Sequence, residues 1–260
     1  MSNNFAPTVY ISLVLKTAGY HVGALALGEC PNRYLSLKRA SLFWSEPTLA
    51  HIVITSGPTR QYLDPVRYLT NASSGKMGAA LAQAALDLGH RVTIVTGPVS
   101  VEYPQGAKIV HVTTTEEMLE ATRLEFTQAD GLIGAAAPCD YMPKQVETSK
   151  LQKTGNGLTL NLLETPDIVA FMAANKLPKQ WVVAFALETE DVRFRAIVKL
   201  SRKSCDMIVS NRADAMNSDE NNVEVISRGG KVLDQFHGPK PLVAQGILRL
   251  IDKHLIATQV

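Results

Sequence analysis

From His51 onward, short apolar runs rich in β-branched residues alternate with stretches of helical period. His51–Ser56 (HIVITS), Arg91–Thr96 (RVTIVT), Lys108–Val112, Gly131–Ala137 (GLIGAAA), Trp181–Ala186 (WVVAFA) and Asp206–Ser210 (DMIVS) read as strands. Continuous apolar runs of this length suit strands buried on both faces, as in a parallel sheet. Lys76–Leu88, Thr115–Phe126, Pro166–Asn175 and Asp191–Lys203 read as helices. Gly89 stands where a helix C′ glycine belongs, and Pro166 where proline opens a helix without losing a hydrogen bond. Gly57 to Gly75 reads as a long polar loop, and Leu158–Leu163 alternates like an exposed strand. Val223–Ser227 and Lys231–Phe236, joined by Arg228-Gly229-Gly230, predict a β-hairpin, and Leu242–Leu255 a closing amphipathic helix. Strand and helix alternating in this way predict an α/β fold: a doubly wound, Rossmann-like, mostly parallel sheet.

The first fifty residues lack that period. Val9–Leu15 is a short apolar run, and Cys30–Ser41 mixes Pro, Asn, Arg and Lys. The expected organisation is an N-terminal extension of unassigned role over residues 1–50 and one domain over residues 51–260. The whole chain, 260 residues with 46% hydrophobic, holds enough apolar surface for a sizeable core. Lys and Arg number 26 against 24 Asp and Glu, so nucleic acid is not expected as a bulk partner. Three cysteines, none in a CxxC pair, speak against a disulfide framework or a zinc site and for a reducing cytoplasm. No apolar run reaches the roughly 20 residues of a membrane span, and no metal-ligand cluster is visible.

Candidate chemistry begins in the loop after the first strand, because open α/β sheets bind ligands beyond the carboxyl ends of their strands. That loop opens Gly57-Pro58-Thr59-Arg60 and closes Asn71-Ala72-Ser73-Ser74-Gly75-Lys76-Met77-Gly78 against a helix. A helix N-terminus attracts phosphate through its unpaired N–H groups and positive dipole end. Ser73 and Ser74 add hydroxyls, Gly75 close backbone approach, and Lys76 charge. The spelling is neither a Walker A loop nor GxGxxG. A capped helix with no ligand uses the same residues.

The whole run Ile54–Gly78, ITSGPTRQYLDPVRYLTNASSGKMG, resembles the opening of bacterial phosphopantothenoylcysteine synthetase. The resemblance continues through Gly134–Tyr141, Lys150–Lys153, Thr165–Val169, Phe185–Thr189, Lys199–Asn211 and Asn217–Asn222, in that family's order. It implies a ligase of coenzyme A synthesis, often fused to a flavin-dependent decarboxylase. CTP activates the 4'-phosphopantothenate carboxylate as an acyl-cytidylate with release of pyrophosphate. The amine of L-cysteine then displaces CMP. Mg²⁺ is implied with the nucleotide, as are a homodimer and a separate decarboxylase as a further partner.

Residue by residue, the resemblance places Asn71 on the acyl intermediate and Lys150 in the activation step. Gly57, Ser73, Ser74, Gly75 and Lys76 are implied at the nucleotide, as are Gly134, Ala135, Ala136 and Asp140. Pro166, Asp167, Ile168, Val169, Phe185, Lys199 and Lys203 complete that set. Arg67 and Ala137 are implied at the acid substrate. Two departures stand out: Pro138-Cys139 replaces Val-Ala of the family's AAVADY, and Gln152 replaces a lysine of its KIKK-like segment. Asn71 also reads as a turn residue, and Phe185 as plain core. A hydride-transferring oxidoreductase lacks its GxGxxG and its acidic residue after the second strand. A non-catalytic nucleotide module and an ATP-using variant of the ligase are the other readings.

Overall fold

A computed structural model describes residues 48–188, 191–212 and 220–259, all within the unit that runs from Ser45 to Val260. The expected extension over residues 1–50 lies almost wholly outside the described residues. In chain order the elements are β1 (His51–Ser56), β2 (Arg60–Tyr62), β3 (Tyr68–Thr70), α1 (Lys76–Asp87), β4 (Arg91–Thr96), β5 (Lys108–His111) and α2 (Thr115–Phe126). There follow β6 (Gly131–Gly134), β7 (Tyr141–Pro143), β8 (Leu162–Glu164), α3 (Ile168–Asn175), β9 (Trp181–Glu188) and α4 (Val192–Lys203). Last come β10 (Met207–Arg212), β11 (Glu220–Ser227), β12 (Val232–Pro239) and α5 (Lys240–Ile251), which runs on into a π-helical turn (Asp252–Ile256) and a 3-10 turn (Ala257–Gln259).

Eight strands form one sheet in the order β12-β11-β10-β9-β6-β1-β4-β5. The pairs from β10 to β5 are parallel, and β11 and β12 add an antiparallel edge. Alternate residues of each strand face opposite layers. Ile52 and Ile54 of β1 pack with Leu81 of α1 and Ile247 of α5, while Val53 packs on the other face with Met118, Ile168 and Leu200. The sequence winds outward from β1 through β4 to β5, then returns to β6 on the other side of β1. The loops after β1 and β6 therefore diverge at a topological switch point, where such sheets open a crevice.

Three local expectations change. The polar loop from Gly57 to Gly75 contains the β2–β3 hairpin, in which Arg60 pairs with Thr70 and Tyr62 with Tyr68. Its strands are three residues long and carry no readable period; the Arg60 guanidinium lies 4.4 Å over the Tyr68 ring. Pro166 does not open α3. Asp167 is the N-cap, its carboxylate accepting from the Ala170 N–H at 3.0 Å, and a side-chain acceptor at that position satisfies an otherwise orphaned donor. The exposed strand shrinks to β8, which pairs with β7 and leaves residues 144–161 as a long excursion between them.

Candidate functional site

The carboxyl end of β1 is fixed first. Ser56 donates to the Gly75 carbonyl at 3.3 Å, and Tyr103 donates to Ser56 at 3.0 Å while meeting Thr96 at 2.6 Å. These hydroxyls seat Gly75, which has φ +75°, directly before α1. α1 has no side-chain cap and no acidic residue in its first turn, so its positive end stays open to an anion. Gly78 must be a glycine for a packing reason: a Cβ there falls 2.1 Å from the Ser56 Oγ.

The loop after β6 is pinned to the loop after β1. Ala137 donates its N–H to the Gly57 carbonyl at 2.9 Å, and Cys139 donates its N–H to the Thr59 Oγ at 2.7 Å. Pro138, between them, has no N–H to satisfy, so the substitution at this position leaves no orphaned donor. Its carbonyl accepts from the Asn71 amide at 2.8 Å. The Cys139 carbonyl accepts from Thr165 at 2.7 Å and from Thr115 at 3.2 Å. Cys139 itself is buried, its thiol donating to the Tyr141 carbonyl at 3.2 Å, which fits a small packed side chain.

Two clefts open on either side of Ala136 and Phe185, which line both. Counting solvent at their mouths they measure about 820 and 1050 Å³. The first is bounded by Ser73, Ser74, Gly75 and Lys76 at the α1 N-terminus and by Ala135 and Ala137. The second is bounded by Gly134, Asp140, the turn Pro166-Asp167-Ile168-Val169 and Lys203. The structure thus brings together residues that the sequence scatters over more than a hundred positions.

Of the other candidates, Gly57, Asn71 and Lys199 line neither cleft, and Lys203 lines the second. Gly57 supports the Ala137 turn from beneath. Asn71 lies between Ala72, on the first cleft, and Pro138, on the second. Lys203 is bound to the Asp167 carboxylate at 3.0 Å, so two candidates pair with each other. Lys199 lies one turn earlier on α4 and lines neither cleft among the described residues.

Lys150 is exposed on the 144–161 excursion and lines neither cleft. Its neighbour Leu151 donates to the Asp64 carboxylate at 3.1 Å and accepts from Arg67 at 2.8 Å. Arg67 and the base of the excursion are therefore one unit, held by buried Asp64. Burial pulls the Asp64 carboxyl upward, but the N–H groups of Val66, Arg67 and Leu151 and the Arg67 charge outweigh it and hold it below the usual aspartate value.

Sequence reasoning missed Asn211, Asn221 and Lys240, which complete the first cleft from β10, β11 and α5. Asn221 is 3% exposed, and the side-chain oxygens of both asparagines lack a partner among the described residues. A signal was present: asparagine is depleted in strands, and each of these follows or precedes a buried apolar strand run.

Among the described residues no three His, Cys, Asp or Glu side chains could hold a metal ion together. No helix among them is long and apolar enough to cross a membrane.

A family model described as the DNA/pantothenate metabolism flavoprotein C-terminal domain matches residues 48–255. The coenzyme A biosynthesis bifunctional protein CoaBC of Vibrio parahaemolyticus is 41% identical over 187 residues, covering 70% of this chain and 47% of that one. The protein of the same name from Bacillus subtilis is 40% identical over 204 residues, covering 75% and 50%. The chain spans about half the length of these relatives. The crystal structure of the C-terminal domain of a CoaBC protein superposes with TM-score 0.68 at 36% identity, covering 80% of this chain and 98% of that one. A cleft pair built on the switch point of a doubly wound sheet, matched over most of its length in sequence and in structure, places this chain in the family of the DNA/pantothenate metabolism flavoprotein C-terminal domain.

Proposed function

We propose that the chain is a ligase that joins 4'-phosphopantothenate to L-cysteine, driven by cleavage of CTP to CMP and pyrophosphate. The observation that carries this reading is the meeting of two clefts at Ala136 and Phe185, with Asn71 hydrogen-bonded across their junction. The names of the relatives, which place them in coenzyme A biosynthesis, support the same reading. The domain is taken as residues 51–260, acting as a homodimer in the cytoplasm.

The chemistry has two steps. The acid's carboxylate oxygen attacks the α-phosphorus of CTP, and pyrophosphate leaves with the broken P–O bond pair. The cysteine amine then attacks the acyl carbon, and CMP leaves. In this reading cytidine occupies the second cleft, where Asp140 accepts from the base amino group and the Pro166–Val169 turn and Phe185 enclose it. The triphosphate passes Gly134–Ala137 toward Ser73–Lys76, where α1 presents N–H groups to anionic oxygens. Lys203, with Lys199 one turn away, and Lys150, carried in by the excursion, offset the charge that builds during attack. Arg67 meets the acid substrate. Mg²⁺ bound with CTP would screen the triphosphate; Asp140, Glu164 and Asp167 line that cleft, and phosphate oxygens and water would supply most of its ligands.

Asn71 holds the acyl carbonyl. A side-chain amide has two N–H donors, and one is already given to Pro138, so the orientation of the second is set before substrate arrives. The test is an assay with 4'-phosphopantothenate, cysteine and each of the four nucleoside triphosphates. CTP is expected to give amide and pyrophosphate in equal amounts. If ATP exceeds CTP tenfold in kcat/KM, about 1.4 kcal/mol at the barrier, the assignment of Asp140 to the base is wrong.

A further inference from the structure

Cys139 is tied at both of its backbone groups by two threonines from distant parts of the chain. Its N–H donates to the Thr59 Oγ at 2.7 Å, and its carbonyl accepts from the Thr115 hydroxyl at 3.2 Å. The two threonine hydroxyls lie 2.8 Å apart. Their proton order follows from the ends. A carbonyl only accepts, and a hydroxyl carries one proton. Thr115 gives its proton to the carbonyl, so Thr59 must donate to Thr115. The result is a closed, one-way ring that runs from the Cys139 N–H to Thr59, from Thr59 to Thr115, and from Thr115 back to the Cys139 carbonyl. Both threonines are fully buried, and Cys139 is 6% exposed, so water does not compete for these bonds.

The ring acts on the residue that follows. The Cys139 carbonyl belongs to the peptide plane that leads into Asp140, and the Asp140 carbonyl accepts from the Thr165 N–H at 2.9 Å. Both peptide planes that flank Asp140 are therefore pinned. Asp140 is itself exposed, so its side chain takes its direction from the backbone rather than from packing. The ring grips only main-chain atoms of residue 139, and so holds this loop whatever side chain stands there. Thr115 lines neither cleft. It is the first residue of α2, but the helix does not need its hydroxyl, because Thr114 is the cap and accepts from the Glu117 N–H.

We infer that Thr115 is a positioning residue for base selection: acting through Thr59 and Cys139, it sets the angle at which the Asp140 carboxylate meets the nucleotide base. The inference rests on the ligase reading above, in which Asp140 accepts from the cytosine amino group. Where cytosine carries that amine, uracil carries a carbonyl oxygen, which a carboxylate repels. An Asp140 held at a fixed angle therefore favours CTP and disfavours UTP at once. Opening the ring loosens Asp140 and weakens both effects. The α1 N-terminus and the lysines, which handle the triphosphate, are untouched.

The experiment measures pyrophosphate release with 4'-phosphopantothenate and either CTP or UTP, in wild type, Thr115→Val, Thr115→Ser and Thr59→Val. Valine keeps the shape of threonine without the hydroxyl. Thr115→Val should lower the ratio of kcat/KM for CTP over UTP about 10-fold, the worth of one hydrogen bond to a charged group. The fall should come from a higher KM for CTP, with kcat at saturating CTP near wild type. Thr115→Ser keeps the hydroxyl and should keep the wild-type ratio. Thr59→Val opens the same ring at its other hydroxyl and should show the same fall, which reads the ring independently if Thr115→Val does not fold. Thr122→Val is the control. Thr122 lies about two turns further along α2, is equally buried, and its hydroxyl has no partner among the described residues, so its ratio should not move. A purely structural defect lowers CTP and UTP use alike and leaves the ratio where it was. An unchanged ratio in folded Thr115→Val or Thr59→Val, or an equal fall in Thr115→Ser, overturns the inference and leaves the ligase reading intact. Wild type that uses UTP as well as CTP removes the assignment of Asp140 to the base, and the inference with it.

Discussion

Asn71 uses one amide N–H on the Pro138 carbonyl, and that bond sets where the other points. Asn71→Asp keeps the shape but replaces the donor with a carboxylate that faces the carbonyl and cannot polarise an acyl group. The variant is expected to release about one pyrophosphate per site and then stall, with amide formation down on the order of 10²–10³. Rapid-quench analysis checks this, and normal amide formation shows that Asn71 is only a turn residue. Lys150→Gln acts earlier: pyrophosphate release itself should be lost, read by coupled release assay. Normal release with lost amide contradicts the activation role. At this scale the sequence was legible wherever a residue stood in a dense motif. Ser73 to Lys76, Gly134 to Pro138 and Asp140 stood in such motifs and lie on the cleft walls. Asn211 and Asn221 fell inside blocks of the resemblance but were not singled out, because what brings them together is the register between β10 and β11.

Elements carry the second kind of prediction. α1 packs so tightly on β1 that Gly78→Ala puts a methyl group 2.1 Å from the Ser56 Oγ. Over-packing of this kind costs about 1–3 kcal/mol, and the strain displaces the α1 N-terminus that bounds the first cleft. A lower melting temperature together with slower pyrophosphate release is expected; a lower melting temperature with unchanged kinetics would separate the helix end from the chemistry. The excursion at 144–161 hangs on Asp64, whose carboxyl is held below its usual value by the N–H groups and the Arg67 charge that outweigh its burial. A depressed carboxyl stabilises the fold above its unfolded pKa and loses that contribution as pH falls through its folded pKa. Activity should therefore fall in acid as Asp64 protonates and releases Leu151, and Asp64→Asn should show that loss already at neutral pH, in a pH–rate profile. Long strands and helices were legible because burial imposes a period on them. β2, β3 and β7 were not, since three residues are too few to show a period, and β8 keeps only the end of the exposed strand expected over Leu158–Leu163.

The fold class as a whole was legible, because strict alternation of buried strands and amphipathic helices leaves few topologies. The edge where β11 and β12 turn antiparallel was legible from the Gly229-Gly230 turn. Ala50 is buried, gives its N–H to His90 and accepts from Arg91, so the packed unit needs residues just before β1. A chain beginning at Thr48 is expected to fold and to keep full kcat/KM; one beginning at Ile52 should melt lower. The two small hairpins leave Val66, Tyr68, Tyr141, Leu162 and Leu163 exposed, apolar surface that the proposed homodimer would cover. The account as a whole stands on one chemical species. Protein mixed with 4'-phosphopantothenate and CTP, without cysteine, and quenched into a mass spectrometer should yield 4'-phosphopantothenoyl-cytidylate in step with about one pyrophosphate per site. CTP cleaved with no acyl-cytidylate formed, or amide produced on adding cysteine with no such species beforehand, contradicts it.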